Sequence, residues 1–235
     1  MHVLALDTTT REGSVAIVDG QRVVVERRGD GSRSHGERLP AEVLGALRAC
    51  GLTTADMDLF AVASGPGSFT GLRIGIATIQ GLAVVHRKRI VPVSALRAMA
   101  QAASIGLPEG GLVGAWMDAH RQDVFSALYR VERAEPFALD RLSEIDGPIV
   151  ASPSSTLSRW SAARHRPACV VGDGAIKYCE ELANLAPARP APPLASVIAR
   201  IAAQCYRSCS VDPAAIQPLY VRRPDAEIAR DAIRR

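Results

Sequence analysis

Three short apolar runs at the amino terminus constrain the fold most, because they predict three consecutive strands in one meander. Met1–Asp7 is apolar almost throughout, and Asp19–Gly20 separates the run SVAIV from the run QRVVVER. A two-residue Asp-Gly turn between β-branched runs is a strong hairpin signal. The chain is therefore expected to open with a meander of antiparallel strands.

Helices and single strands alternate after this meander. The segment His35–Cys50 carries Leu39, Val43, Leu44 and Leu47 at helical spacing. The predicted elements are, in order, helix 35–50, strand 59–63, helix 70–86, strand 90–93 and helix 94–104. Strands joined by crossover helices lie parallel, with helices on the faces of their sheet.

A similar order begins again after the glycine-rich break at 106–111. Leu112–Asp118 ends in Asp, as Val3–Asp7 does, and Asp123–Val131 alternates like a second strand. The remaining predictions are a loop-rich region 132–153, helix 154–163, strand 169–172, helix 174–185, an extended linker 187–193 and helix 194–209. Sequence similarity between the halves is slight, so the internal repeat rests on the order of elements.

A meander that continues into parallel strands, made twice, predicts an α/β fold of two ribonuclease-H-like lobes. This is the two-lobed architecture of actin, Hsp70 and the sugar kinases. The expected divisions are an amino-terminal lobe 1–104, a smaller lobe 105–193, a helix and segment 194–220 packing back on the lobes, and a basic tail 221–235.

Composition restricts the compartment and the class of partner. The chain is 48% hydrophobic but only 4% aromatic, and its formal charge is +4 with Arg far outnumbering Lys. The basic tail is interleaved with acidic residues, which favours a solvated segment over an RNA contact. Five cysteines without CxxC spacing indicate buried free thiols in a reducing compartment. With no basic leader and no apolar run of about 18 residues, a cytosolic protein without a membrane span is expected.

The string SGPGSFTGLRIG, residues 64–75, is the most unusual stretch of the chain. It is not a phosphate-binding P-loop, because Leu72 and Arg73 follow the last glycine of the candidate motif where Lys and a hydroxyl residue are required. Gly65 and Gly67 are expected to turn the chain. Gly71 and Gly75 share one helix face, which indicates close approach of another backbone, either the lobe's own sheet or a partner helix. On the second interpretation, Gly75→Leu should weaken partner binding more than it lowers stability.

A second group of residues suggests nucleotide binding. Asp7, at a strand end, could hold a hydrated Mg²⁺, and the hydroxyls of Thr8 and Thr9 could contact phosphate. Gly172 and Gly174 follow a later strand and could accept an adenosine. Local turns explain the same residues equally well, because Asp and Thr commonly begin strand-end turns.

Several strings resemble the TsaB family, formerly called YeaZ, in the expected order. They are LALDTTT, SHGERLP, AVASGPGSFTGLRIG, VPVSAL, MDAHRQDVF, VVGDGA and PLYVRR, and the resemblance spans essentially the whole chain. It implies an accessory subunit for N6-threonylcarbamoyladenosine at position 37 of tRNA. The catalytic paralogue TsaD would carry out the transfer, and the ATPase TsaE would drive turnover.

The resemblance also implies that this chain lacks a metal site. TsaD-type proteins carry an HxxxH metal motif directly after the strand that follows the glycine-loop helix. Ala95 and Met99 stand at those two positions here, and neither side chain offers an imidazole. No catalytic residue and no metal ligand is therefore expected. His120 in MDAHRQDVF replaces an expected Arg, from which nothing follows.

The leading hypothesis is a non-catalytic scaffold that pairs with TsaD, homodimerises when alone, and meets tRNA only through the complex. No cofactor is expected on the chain itself, although ATP or ADP could bind at the interface of the complex. Apolar or small residues of helices 35–50 and 70–86 would form the interface, some facing their own sheet instead: Leu39, Val43, Leu47, Thr70, Gly71, Ile74, Gly75, Thr78 and Leu82. The alternatives are an ATP-dependent small-molecule kinase, which calorimetry with Mg·ATP would detect, and a metallopeptidase, which elemental analysis would detect.

Overall fold

A computed structural model describes residues 1–222 of the chain, and its first half is built on one five-stranded sheet. The strands are β1 His2–Asp7, β2 Ser14–Asp19, β3 Arg22–Arg28, β4 Leu59–Gly65 and β5 Ile90–Ser94. Their order is β3-β2-β1-β4-β5, with antiparallel pairs up to β1 and parallel pairs beyond it. The meander predicted from the Asp19–Gly20 turn is confirmed.

A second five-stranded sheet repeats this arrangement. Its strands are β6 Leu112–Asp118, β7 Val124–Val131, β8 Leu142–Ala151, β9 Cys169–Val171 and β10 Ala188–Arg189. The order β8-β7-β6-β9-β10 again changes from antiparallel to parallel pairs at its central strand. The two sheets share one topology, so the predicted α/β fold with duplicated ribonuclease-H-like lobes is confirmed.

The helices form three layers around the two sheets. They are α1 His35–Ala49, α2 Phe69–His86, α3 Ala95–Ala103, α4 Pro153–Ala162, α5 Asp173–Lys177, α6 Cys179–Leu182 and α7 Ala195–Cys209. α3 and α7 lie between the lobes in one shared core. α1 and α2 cover the outer face of the first sheet, and α4 to α6 cover the outer face of the second.

Two local predictions for the second lobe are wrong, and a third is incomplete. The region 132–153 is not only loop, because it contains β8, an edge strand whose polar SEIDG sequence and register shift at Gly147 conceal the alternation of a strand. The helix predicted over 174–185 is two short helices that meet at Tyr178. The linker 187–193 contributes β10, whose two residues complete the sheet.

Strands of the first lobe cap the amino terminus of α7. The Ala195 N–H donates to Ser14 Oγ at 3.0 Å, and the Ser196 N–H donates to Glu26 Oε1 at 2.8 Å. The Ser196 hydroxyl donates to the second oxygen of Glu26 at 2.9 Å. A carboxylate at this end of a helix satisfies free N–H groups and favours the helix dipole. Burial nevertheless raises the pKa of Glu26.

Replacing the Glu26 cap should therefore destabilise the whole chain. Glu26→Ala leaves the first N–H groups of α7 without that acceptor, and we expect it to lower the free energy of unfolding by about 1–2 kcal/mol in urea denaturation. Glu109→Ala, at an exposed loop position, is the matched control and should stay within about 0.5 kcal/mol. Equal stability of the two variants would contradict the capping role.

Candidate functional site

A cleft of about 1100 Å³ separates the two lobes on one side of the shared core. Its lining includes three parts of the first lobe. They are the β1–β2 turn, the amino terminus of α1, and the segment 64–68 from the end of β4 to the start of α2, here called the glycine loop. From the second lobe come residues 117–121, Phe125 and Asp173, and the carboxy-terminal residues 219–222 complete the wall. Residues of both lobes therefore meet at this cleft.

The glycine loop packs against two other segments of the chain. Gly65 has a φ of +118°, and a Cβ there would lie 2.7 Å from the Leu219 carbonyl oxygen. A Cβ at Gly67 would lie 2.6 Å from Cβ of Thr9. The Ser68 N–H donates to the Thr9 carbonyl at 2.8 Å, and Ser68 Oγ accepts from the Gly71 N–H as the cap of α2. The prediction that Gly65 and Gly67 serve a tight turn is confirmed.

The close approach at Gly71 and Gly75 is to the lobe's own sheet. A Cβ at Gly71 would overlap the Thr8 carbonyl oxygen, and a Cβ at Gly75 would overlap the Thr8 hydroxyl. Both glycines belong to α2 and are buried on the side that faces the sheet. The interpretation that they clear a face for a partner backbone is therefore wrong, and so is the expectation that Gly75→Leu acts mainly on partner binding.

Three further candidates for the partner face also point inward. Leu39, Val43 and Leu47 are 1%, 4% and 2% exposed, because they form the core between α1 and the first sheet. Their helical spacing marks the stripe of α1 that is buried against the sheet, and not a stripe that faces a partner. These residues are corrected to core positions.

The exposed stripe of the two helices consists of other residues. Gly36 faces Ile74, whose Cδ1 would lie 3.8 Å from a Cβ at Gly36, so α1 and α2 are neighbours. Leu44 is 48% exposed on α1, and Val85 is 75% exposed on α2. We call the exposed or half-buried residues of this surface the outer helix face: Leu44, Thr70, Ile74, Ala77, Thr78, Gly81, Leu82 and Val85. Thr70, Ile74, Thr78 and Leu82 were among the predicted interface residues.

α2 also departs from the expectation that no segment is apolar over about 18 residues. Among the described residues, Phe69–His86 is the one helix whose length and composition would suffice to cross a membrane. Its buried side packs on β1 and β4, as a helix of a soluble α/β domain does. Its apolar character comes from being buried on one side and carrying the outer helix face on the other.

A buried network beside the cleft was not predicted. The Arg38 guanidinium is 3% exposed and donates to the Glu42 carboxylate at 2.6 and 2.7 Å and to the carbonyl oxygens of Arg11 and Glu12. His35 Nε2 lies 2.9 Å from the Thr10 carbonyl, and its Nδ1 lies 3.0 Å from Arg38. These partners fit a neutral ring that donates from Nε2. The network fixes the β1–β2 turn on α1, and only the i, i+3, i+7 spacing of the polar residues could have signalled it.

Burial lowers the pKa of His35, and the charge of Arg38 adds to the effect, against the opposing hydrogen bond to Thr10. A protonated ring would place an N–H at Nδ1, directly against the guanidinium. The β1–β2 turn therefore depends on a neutral imidazole.

The amino-terminal nucleotide candidates do not face the cleft as a nucleotide site requires. Asp7 is 4% exposed, and its Oδ1 accepts from the Thr9 N–H at 2.9 Å and from the Thr9 hydroxyl at 2.6 Å. Burial raises the pKa of Asp7. Thr8 is fully buried beside Gly75, and Thr9 alone of the three lines the cleft. The local turn explains these residues, and the Mg²⁺ role is a poor fit.

The candidates in the second lobe are packed against β6. A Cβ at Gly172 would overlap the Trp116 carbonyl oxygen, and a Cβ at Gly174 would lie 2.9 Å from the Met117 carbonyl carbon. Between them, Asp173 accepts from the N–H groups of Asp118 and Gly174. These glycines serve a close turn between strand and helix, which accounts for them without an adenosine.

Two aspartates of the second lobe are used in ion pairs. Asp118 accepts from Lys177 Nζ at 2.9 Å, and Asp123 accepts from the Arg222 guanidinium. Arg222 also corrects the predicted boundary of the basic tail, because Val221 and Arg222 belong to the cleft wall. The rest of that tail, residues 223–235, lies outside the described residues.

The positions that would carry a metal motif are part of the shared core. Ala95 and Met99 are 0% and 1% exposed on α3, packed between the two sheets. Within residues 1–222, no group of three His, Cys, Asp or Glu side chains is arranged to hold a metal ion.

Comparisons with known proteins agree with this architecture. Residues 29–153 match the family model for TsaD, tRNA N6-adenosine threonylcarbamoyltransferase. The Haemophilus influenzae protein named tRNA threonylcarbamoyladenosine biosynthesis protein TsaB is 32% identical over 227 residues, covering 94% of each chain. An uncharacterised protein of Mycobacterium tuberculosis H37Rv is 32% identical over 229 residues, covering 96% of this chain and 93% of that one. A Pseudomonas aeruginosa crystal structure described as similar to peptidase YeaZ has a TM-score of 0.78 at 28% identity, covering 94% of this chain and 99% of that one.

The duplicated sheets and the cleft between them define a two-lobed protein of the actin-like class. The chain belongs to the TsaB family, because the similarity to the Haemophilus protein spans nearly the full length of both chains.

Two glycine substitutions in α2 should have opposite effects. Gly75→Ala forces a methyl group into Thr8, and we expect it to lower the free energy of unfolding by about 1–3 kcal/mol. Gly81→Ala, where nothing lies within 4 Å of the new Cβ, should raise it by about 0.5–1 kcal/mol. Urea denaturation measures both. Equal effects would contradict the buried contact of Gly75 with Thr8.

The neutral state of His35 predicts a loss of stability on acidification. Because its pKa is lowered in the folded protein, the unfolded chain takes up the proton first as the pH falls below about 6.5. The stability due to the neutral ring is present above that pH and is lost as the pH falls from there towards the lowered pKa of the folded protein. Urea denaturation on the two sides of about pH 6.5 should show a smaller acid loss in His35→Gln than in wild type. His120→Gln, with an 86% exposed side chain, should retain the full loss; identical losses in all three proteins would contradict the prediction.

Proposed function

We propose that this chain is a non-catalytic subunit required for N6-threonylcarbamoyladenosine at position 37 of tRNA, and that it acts by pairing with TsaD. The observation that carries the proposal is the outer helix face, an apolar surface with Val85 75% exposed and Leu44 48% exposed. Full-length similarity to a protein named for the biosynthesis of this nucleoside supports the pathway.

The shape of the outer helix face favours a helical partner. Ala77 and Gly81 are exposed and lie i, i+4 on α2, so a second helix can approach closely between larger neighbours. Leu44, Leu82 and Val85 supply apolar area on both sides. Exposed apolar surface of this kind marks protein interfaces in soluble proteins. Because the same surface could accept a second copy, the isolated chain would homodimerise and TsaD would compete with that homodimer.

The cleft supports an accessory role. The candidate acid Asp7 does not line the cleft and accepts two hydrogen bonds from Thr9, and Ala95 and Met99 occupy core positions where a metal motif would stand. We therefore assign the transfer of the threonylcarbamoyl group to TsaD and ATP hydrolysis to TsaE, in a cytoplasmic complex that holds the tRNA. A nucleotide at the interface of that complex would rest on TsaD residues. The kinase alternative loses support, because Asp7, Gly172 and Gly174 are all packed inside the lobes.

Charged substitutions on the outer helix face should separate partner binding from folding. Ala77→Glu and Val85→Glu place a carboxylate in the proposed interface, and we expect each to weaken TsaD binding at least about tenfold. The melting temperature should change by no more than about 2 °C, because both positions are exposed. Pull-down with TsaD from the same organism and calorimetry of the isolated chain measure the two quantities. Ile176→Glu, 46% exposed on the second lobe, is the matched control and should bind normally.

Reconstitution tests the function itself. TsaD and TsaE, supplied with threonylcarbamoyl-AMP and unmodified tRNA, should form the nucleoside only when this chain is added, and Ala77→Glu should reduce the yield as it reduces binding. Full modification without this chain would overturn the proposal. Turnover of Mg·ATP and a small substrate by the isolated chain would favour the kinase instead.

A further inference from the structure

The segment after α7 runs along the first lobe before it reaches the second. At its start, the Val211 N–H donates to the Ile90 carbonyl at 2.7 Å, and the Ile90 N–H donates to the Val211 carbonyl at 3.1 Å. This isolated bridge adds the segment to the free edge of β5. Gln80 of α2 then donates to the Pro213 carbonyl at 2.8 Å, and Ile216 is buried at 6% exposure in the core beneath α2.

The next residues contact the glycine loop and the first turn of α2. The Leu219 N–H donates to the Ser64 carbonyl at 2.6 Å, and the Leu219 carbonyl passes so close to Gly65 that a side chain there would collide with it. The Tyr220 ring packs against Phe69 with 5.4 Å between the ring centroids. Arg73 Nε donates to the Tyr220 hydroxyl at 3.1 Å, and its guanidinium lies 3.9 Å above the Phe69 ring.

Two residues later the chain contacts the second lobe. Arg222 donates to the Ala119 carbonyl at 2.7 Å and forms an ion pair with the Asp123 carboxylate. These partners are the two ends of the β6–β7 turn, which is closed by the Ala119 N–H donating to the Asp123 carbonyl at 3.0 Å. Between them His120, Arg121 and Gln122 all have φ values between 51° and 64°. Three successive left-handed residues other than glycine are strained and need fixed surroundings to persist.

The aromatic and basic side chains at this end of the cleft have another conceivable use, as a stacking surface for nucleic acid. The contacts argue against it. One face of Phe69 is covered by Arg73, its other neighbour is Tyr220, and Arg222 is paired with Asp123. The same side chains are accounted for if their role is to hold the carboxy-terminal segment.

We propose that residues 211–222 form an interlobe strap, in which Arg222 positions the β6–β7 turn and couples it to the glycine loop and to the first turn of α2. The shared core of α3 and α7 joins the lobes on one side of the cleft, and the strap joins them along the wall that residues 219–222 form. Movement of the second lobe therefore pulls on Leu219 and Tyr220, and through them on α2. Since α2 carries the outer helix face, the strap would transmit the state of the cleft to the proposed partner surface.

Hydrogen exchange of the full-length, isolated chain tests the coupling from both ends. Arg222→Ala removes the contacts with the second lobe, and Tyr220→Ala removes a contact with the first. We expect Arg222→Ala to speed exchange about threefold or more at Leu219 and Ser68, and Tyr220→Ala to do the same at Ala119, because coupling between two sites is reciprocal. Asp123→Asn removes the ion pair from the other side and should reproduce Arg222→Ala.

Two matched controls define the outcomes. The controls are Arg130→Ala, at an exposed arginine of β7, and Gln217→Ala, at an exposed residue of the strap itself. Neither should change the exchange rate at Leu219, Ser68 or Ala119. Faster exchange only beside each substitution, with the distant amides at wild-type rates, would show separate anchors and overturn the coupling. Wild-type exchange throughout Arg222→Ala would overturn the strap altogether.

The link to the partner rests on the proposed function and needs its own measurement. Binding of the wild-type chain to TsaD is the reference measurement. Against it, Arg222→Ala should lower the affinity for TsaD about three- to tenfold, although Arg222 lies outside the outer helix face. Unchanged affinity would remove the link to the partner surface. If the wild-type chain itself fails to bind TsaD, the proposed function fails, and the exchange result on the isolated chain still decides whether the strap exists.

Discussion

The arrangement of the first lobe depends on how closely α2 approaches the end of β1. Thr8 lies directly beneath Gly71 and Gly75, at a distance that no residue with a side chain could accept. This contact determines the rotation of α2 about its axis. It buries Leu72, Ile76 and Ile79 against the sheet, and it turns Ala77, Gly81 and Val85 outward. The same contact brings Ser68 and Gly67 against Thr9, so the glycine loop and the β1–β2 turn form one wall of the cleft.

The sequence was sufficient for the elements of the first lobe and for the start of the duplication, because these depend on local signals. The Asp19–Gly20 turn, the β-branched runs and the stripe Leu39, Val43 and Leu47 each specify structure over a few residues. The stripe did not reveal what it packs against. α2 is harder still, because it is apolar on both the sheet side and the exposed side, and spacing alone cannot say which of two apolar faces is buried. Gly71 and Gly75 lie on the buried face because they contact Thr8. Thr8 precedes them by some 60 residues, so no local pattern could reveal this contact.

The candidate site was predicted least well where residues resemble a functional pattern but satisfy one another. Asp7 has the position of a metal-binding acid, yet its oxygen accepts two hydrogen bonds from Thr9, and it is buried. Gly172 and Gly174 have the setting of a nucleotide turn, yet the backbone of β6 fills the space beside them. The network of His35, Arg38 and Glu42 had no local signal beyond its spacing, because its acceptors Thr10, Arg11 and Glu12 come from another element. At Asp7, Gly172 and Gly174, internal contacts account for the residues whose sequence pattern suggested a nucleotide site.

Contacts of Leu219 and Arg222 with residues far away in the sequence connect the second lobe to the glycine loop and to α2. Arg222 meets Asp123 and Ala119 across about a hundred residues of sequence, and Leu219 meets Ser64 across more. These contacts give the strained turn between Ala119 and Asp123 the fixed surroundings that its left-handed residues require. They also fix the loop from which α2 begins. A binding face on a helix is most specific when the helix cannot shift on its sheet, and α2 is held from below by Thr8 and from its amino-terminal end by the strap. Through these contacts the second lobe helps to fix the position of α2 on the first sheet.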